Sequence, residues 1–122
     1  MRSKEFRSRC PIAGSLDIIG DKWTLVIIRD LFRDRHTFGD LAASPEKITT
    51  NILTDRLRWL EENGIIKKRA YQTKPTRYTY ALTEKGEDLK PVLKALALWG
   101  ERHIERAVKV TDNPVFQEKP SN

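Results

Sequence analysis

The stretch "KITTNILTDRLRWLEENG", residues 47–64, decides how the chain is read. Wound as a helix, it gathers Ile48, Ile52, Leu53, Leu57 and Leu60 on one side and turns Asn51, Thr54, Asp55 and Arg58 to the other. Thr49 stands where an N-terminal cap belongs, and Asn63 followed by Gly64 marks the end. The apolar side calls for a core. The polar side, short hydrogen-bonding groups followed by an arginine, calls for a polar partner.

Upstream, residues 14–19 predict a short helix that stops at Gly20 through a left-handed cap. Asp21 can then cap "KWTLVIIRDLFR", in which Trp23, Leu25, Ile27, Ile28, Leu31 and Phe32 cover more than half the circumference. That helix belongs in the core, with Lys22, Arg29, Asp30 and Arg33 as a narrow polar strip. In "HTFGDLAAS", Thr37 precedes Asp40 as an abbreviated capping box and Phe38 and Leu41 face inward. The turn "SPEK" leads into the helix of residues 47–64.

Downstream the period changes from helical to alternating. "IIKKRAY" and "YTYALT" are rich in β-branched and aromatic residues, with "QTKPTR" between them, and predict a β-hairpin with a basic tip. Thr83, with Glu84, Glu87 and Asp88 near the positive end of the dipole, starts a last helix. Its stripe of Leu89, Val92, Leu93, Leu96, Trp99, Gly100, His103 and Ile104 is longer than a small domain's own core requires. Pro91 predicts a kink or a delayed start within it.

Length and composition suit one domain: 122 residues, 39% hydrophobic and 33% charged. Residues 1–9 are expected to form a basic arm, 10–110 the folded domain and 111–122, with Pro114 and Pro120, a flexible tail. Lys and Arg number 23 against 17 Asp and Glu, a formal charge of +6 that favours phosphate-bearing partners. No apolar run approaches the roughly 18 residues of a membrane span. The start "MRSKEFRSR" leads into a segment broken by Asp17, so a soluble, cytoplasmic protein is expected. Cys10 is the sole cysteine, which excludes an intramolecular disulfide and a Cys-rich zinc site, and no cofactor or metal is expected.

Three helices, a two-stranded hairpin and a further helix make a mainly α chain with a small β element, the succession of a winged helix-turn-helix. Double-stranded DNA is then the expected partner, with residues 50–63 as the helix in the major groove. Thr49, Thr50, Asn51, Thr54, Asp55 and Arg58 are its candidate recognition residues: Asn pairs bidentately with adenine, and a Thr methyl meets thymine. Lys47, Arg56 and the wing residues Lys74, Thr76 and Arg77 are candidates for phosphate. Arg56 falls on the apolar side of the wheel. Its stem can lie along the core with the guanidinium on a phosphate, the preferred reading, or it can pair with an internal acid. Asp55 suits a phosphate surface only if it reads cytosine or pairs with Arg58. The bland alternative is a solvated face on a winged-helix protein-interaction module.

Six pieces in order, "CPI" at 10–12, "GDKWTLVIIRDL" at 20–31, "TFGDL" at 37–41, "ILTDRLRWLEENGII" at 52–66, "YALTEKG" at 80–86 and "LALW" at 96–99, resemble the HxlR family of winged-helix transcription regulators, relatives of the MarR group. The resemblance implies a homodimer, joined through its first and last helices, that represses or activates genes from a palindromic operator. It places the stripe of Leu89 to Ile104 in the dimer interface. It also makes Cys10 a candidate sensor of oxidants or electrophiles, with Arg7 and Arg9 favouring the thiolate; otherwise Cys10 is a small buried hydrophobe. One departure is "SPEKITT", where Lys47 stands in place of the family's more usual small residue. His36 and His103 lack metal-ligand spacing, and Trp23, Trp59 and Trp99 are expected to pack. Two histidines and one cysteine, with no Gly-rich loop or nucleophile elbow, argue against an enzyme.

Overall fold

Local capping sets the start of several helices. A computed structural model describes residues 6–111 and 113–116 of the chain. Helices α1 (Pro11–Ile19), α2 (Thr24–Phe32), α3 (Phe38–Ala42) and α4 (Thr50–Glu62) come first, followed by an antiparallel pair, β1 (Ile66–Thr73) and β2 (Thr76–Leu82). Helices α5 (Glu84–Glu87) and α6 (Lys90–His103) and a 3-10 turn, Pro114–Phe116, complete it. This is the expected winged helix-turn-helix order.

Asp21 starts α2: its carboxylate accepts from the Trp23 and Thr24 amides at 3.0 and 3.1 Å and from the Thr24 hydroxyl. Ile27, Ile28 and Leu31 of α2 meet Leu41 of α3 and Leu53, Leu57 and Leu60 of α4 in one core. Each such side chain, once buried, stabilises the fold by about 1.5–3 kcal/mol relative to exposure. In α3 the Thr37 hydroxyl accepts from the Asp40 amide and Asp40 accepts from the Thr37 amide, so the capping box forms. Gly64, at φ 69°, ends the segment after α4, where a left-handed residue is needed.

The hairpin is joined to the helices at its base. The Tyr80 amide donates to the His36 carbonyl at 2.7 Å, and Thr37 bridges Thr79, so the wing is hydrogen-bonded to the segment that caps α3. Thr83 then caps α5 through the Gly86 amide while its hydroxyl donates to the Gly64 carbonyl at 2.6 Å. α5 lasts one turn. Pro91 lies in the first turn of α6, where its missing N–H costs nothing, so it delays the start of that helix and does not kink it.

Several expectations are corrected. α1 begins at Pro11, three residues before Gly14, because proline is pre-set for a first turn. Gly20 is right-handed (φ −80°), and glycine is needed there for closeness: a Cβ would stand 2.3 Å from the Leu16 carbonyl oxygen. Asp30 leaves the polar strip and is buried, because Arg29 lies over it. Ile52 is exposed at the margin of α4, and Trp99 is 61% exposed. The expected tail does not begin at 111: Glu101 accepts from the amides of Val110 and Thr111 at 2.7 and 2.9 Å, and Phe116 is buried in the core. The rest of that tail, 117–122, and residues 1–5 of the arm lie outside the described residues.

Candidate nucleic-acid interface

Helix α4 is fixed at its start and along its back. The Thr49 hydroxyl accepts from the Ile52 amide at 3.3 Å, with Thr49 extended at φ −75° and ψ 154°. Leu53 and Leu60 are fully buried behind it, and the Trp59 indole N–H donates to the Ile18 carbonyl at 2.8 Å. Held this way, α4 presents Thr50, Asn51, Thr54, Asp55 and Arg58 to solvent together, as the wheel predicts. The Thr54 hydroxyl donates to the Thr50 carbonyl at 2.8 Å. Its proton is spent there, so outward it offers a methyl group and an acceptor.

Arg56 does not join this surface. Its side chain is 12% exposed, and its guanidinium reaches Asp21 at 3.1 Å and Asp55 at 2.7 Å while lying 5.9 Å from the Trp59 ring centroid. The two carboxylates are themselves at the surface, 31% and 51% exposed, so neither is an internal acid, and together they occupy the guanidinium that was a phosphate candidate. Asp55 pairs with its chain neighbour Arg56, which offsets the acid that fitted a phosphate surface badly.

Lys47 is exposed just before α4, at φ 62°. The residue that departs from the family's small one thus occupies the left-handed region, where a small residue sits most easily. Beside it the structure adds residues that sequence reasoning missed: Arg29 of α2 grips Glu46 through two hydrogen bonds of 2.7 and 2.8 Å. No spacing rule pairs an arginine and a glutamate 17 positions apart.

The wing carries Lys74, Thr76 and Arg77 at its exposed tip, around a cis Lys74–Pro75 bond. A register shift between Ala70 and Gln72 leaves Tyr71 unpaired. Between the wing and α3 lies a hollow of about 330 Å³ lined by Phe38, Tyr71, Arg77, Tyr78 and Tyr80 among others. His36 lies at the base of the wing with Nδ1 3.0 Å from the Tyr80 carbonyl oxygen. Among the described residues no group of three or more His, Cys, Asp or Glu could hold a metal ion.

The stripe of α6 divides. Leu93 is buried and Leu89 and Gly100 are half-buried, whereas Val92, Leu96, Trp99, His103 and Ile104 are exposed. The His103 ring lies 5.0 Å from that of Trp99. On α1, Ile12 and Leu16 are exposed as well.

Cys10 is exposed, not buried, and occupies the N-cap position of α1. The amides of Ala13 and Ile12 hold its thiol below the ordinary value, as a helix N-terminus does for an anion. The expected help from Arg7 is not given, because Asp17 and the Ala13 carbonyl take its guanidinium.

Comparison with known proteins agrees with this geometry. The profile of the HxlR-like helix-turn-helix matches residues 18–108. The HTH-type transcriptional regulator YdeP of Bacillus subtilis, itself uncharacterised, is 37% identical over 101 residues, 83% of this chain and 79% of its own. Among solved structures, PA1607, a candidate transcription factor, superposes with a TM-score of 0.77 at 35% identity, covering 93% of this chain and 82% of that one. The redox regulator HypR, solved in an oxidised form, gives a TM-score of 0.66 at 34% identity, covering 81% of this chain and 100% of that one. Among the described residues no helix is long and apolar enough to cross a membrane.

Proposed function

The chain belongs to the HxlR-like helix-turn-helix family of transcriptional regulators, and from that premise we propose that it binds a palindromic operator as a cytoplasmic homodimer. The observation that carries the reading is the exposed row of Thr50, Asn51, Thr54 and Arg58 on a helix whose other side is locked into the core. Asn51 and Thr54 supply base-edge chemistry, while Arg58, Lys47, Lys74, Thr76 and Arg77 supply phosphate contacts. The exposed apolar residues of α1 and α6 form the subunit contact, because apolar area left open on a small protein is best covered by another surface.

Cys10 gives the regulator its input. An exposed thiol held toward the thiolate by backbone amides is the form that oxidants and electrophiles attack, and the likeness to a redox regulator supports this role. Selection of bound duplexes from a random pool tests the whole reading. The expected result is two half-sites roughly 34–36 Å apart, centre to centre. With on the order of 6–10 phosphate contacts, affinity falls about 10³ to 10⁵-fold between roughly 50 and 200 mM salt. A salt slope near zero with no selected sequence would favour the protein-interaction module. Treatment with peroxide should alter binding in the wild type and leave Cys10→Ser unaffected.

A further inference from the structure

The turn that delivers α4 is held from outside the helix-turn-helix. Arg29, on α2, forks onto Glu46: Nη1 donates to Oε2 at 2.7 Å and Nη2 to Oε1 at 2.8 Å. The Ser44 hydroxyl donates to the same Oε1 at 2.6 Å. On its other edge the guanidinium donates to Asp30 Oδ1 from Nε at 3.1 Å and Nη2 at 3.0 Å, and Asp30 is buried. Arg29 is thereby locked between an acid fixed in the core and an acid on the turn. A bidentate pair of this kind fixes direction as well as distance. Its hydrogen bonds to Glu46 hold that carboxyl down to about 2.

The residue next to Glu46 is strained. Lys47 lies at φ 62°, and its amide donates to the Ser44 carbonyl at 2.9 Å. An L side chain keeps a left-handed backbone only where its surroundings over-determine it. Arg29, Glu46 and Ser44 provide that determination immediately before Ile48 turns into the core and α4 begins.

We propose that Arg29, Glu46 and Ser44 act as a positioning clamp: by holding Lys47 left-handed they set the angle at which α4 meets DNA, and so govern base selectivity without touching a base. The clamp rests on the DNA-binding reading above. Its physical content is a difference in tolerance. Hydrogen bonds to base edges demand close alignment, whereas attraction to phosphates survives a tilt of the helix. The charge of Glu46 taken alone predicts the opposite effect, since removing an acid beside a basic surface should tighten binding to every duplex.

The test uses the full chain, a duplex recovered by selection with the wild type, and a scrambled duplex of equal length. Dissociation constants are measured for both, with amide exchange of residues 47–52 followed in the absence of DNA. For Glu46→Gln the expected result is a melt near neutral pH that stays cooperative and is only slightly lowered, equal or tighter binding of the scrambled duplex, and a loss of about tenfold in selectivity. Exchange of those amides should speed up. Arg29→Lys, which keeps the charge and loses the fork, should copy this pattern.

In a Lys47→Gly background, where a left-handed backbone carries no side-chain strain for the clamp to hold, adding Glu46→Gln should change selectivity by less than about threefold. Affinities for the two duplexes rising together in Glu46→Gln, with amide exchange unaltered, would overturn the clamp. If the wild type selects no duplex, the DNA reading fails by itself. Amide exchange then decides for the clamp when it speeds up and against it when it does not.

Discussion

Helices α4 and α6 are nearly equal in length, 13 and 14 residues, and both are amphipathic, yet they leave opposite chemistry outside the fold. On α4 the large apolar side chains Leu53, Leu57 and Leu60 are buried, and what remains in water is mostly amide, hydroxyl and guanidinium. On α6 only Leu93 is buried, and Val92, Leu96, Leu98 and Trp99 remain outside. Polar groups wait in water at little cost until a partner of matching geometry arrives. Exposed apolar area gains from any close surface that excludes water. The two helices therefore suit different partners: a patterned polar one for α4 and an apolar surface for α6, which our proposal supplies as a second copy of the chain.

The largest expected effect breaks the α4 side of that contrast from behind. Leu60→Ala, at a fully buried position, should lower unfolding stability by about 2–5 kcal/mol, read from a denaturant midpoint. A loss below about 1 kcal/mol would mean that α4 does not anchor the core. On α6, Trp99→Ala should leave the fold intact while weakening self-association by about 2 kcal/mol or more, measured by sedimentation. Unchanged association would free that surface for a different partner.

Asn51→Ala sharpens the contrast, since it should cost about 1–3 kcal/mol at one base position and nothing in folding, whereas Lys74→Ala should weaken all duplexes alike and reduce the salt slope by about 1. The smallest effect is in pH. The folded Glu46 carboxyl titrates at about 2 against an ordinary 4.5. Its stabilisation is therefore complete above the ordinary value and disappears as pH falls toward about 2. The side chain is 40% exposed, so solvent screening limits the stability difference between wild type and Glu46→Gln to under about 1 kcal/mol near neutral pH, and that difference should shrink as melts are taken into acid.

What could be read from the sequence was local. Asp21, Thr37, Thr49 and Thr83 all cap as their positions suggest, because a cap and its acceptor amides lie within one turn. The exposed row of α4 follows from helical period alone. What escaped was set by tertiary partners. Arg56 sits among leucines on the wheel, and nothing in its neighbourhood announces Asp21 at the head of another helix. Asp30 looked like surface because the guanidinium over it comes from Arg29, filed in the same polar strip. Phe116 looked like tail because two prolines and few apolar residues surround it, yet a single aromatic ring with a vacancy in the core is enough to bring the chain back.

The Trp59 hydrogen bond to the Ile18 carbonyl has a mechanical consequence. It ties α4 to the far end of α1, whose near end is Cys10. The nine residues of α1 form a strut of about 13 Å at roughly 1.5 Å each. On the proposed reading, a chemical change at the thiol would lie one helix length from the back of α4.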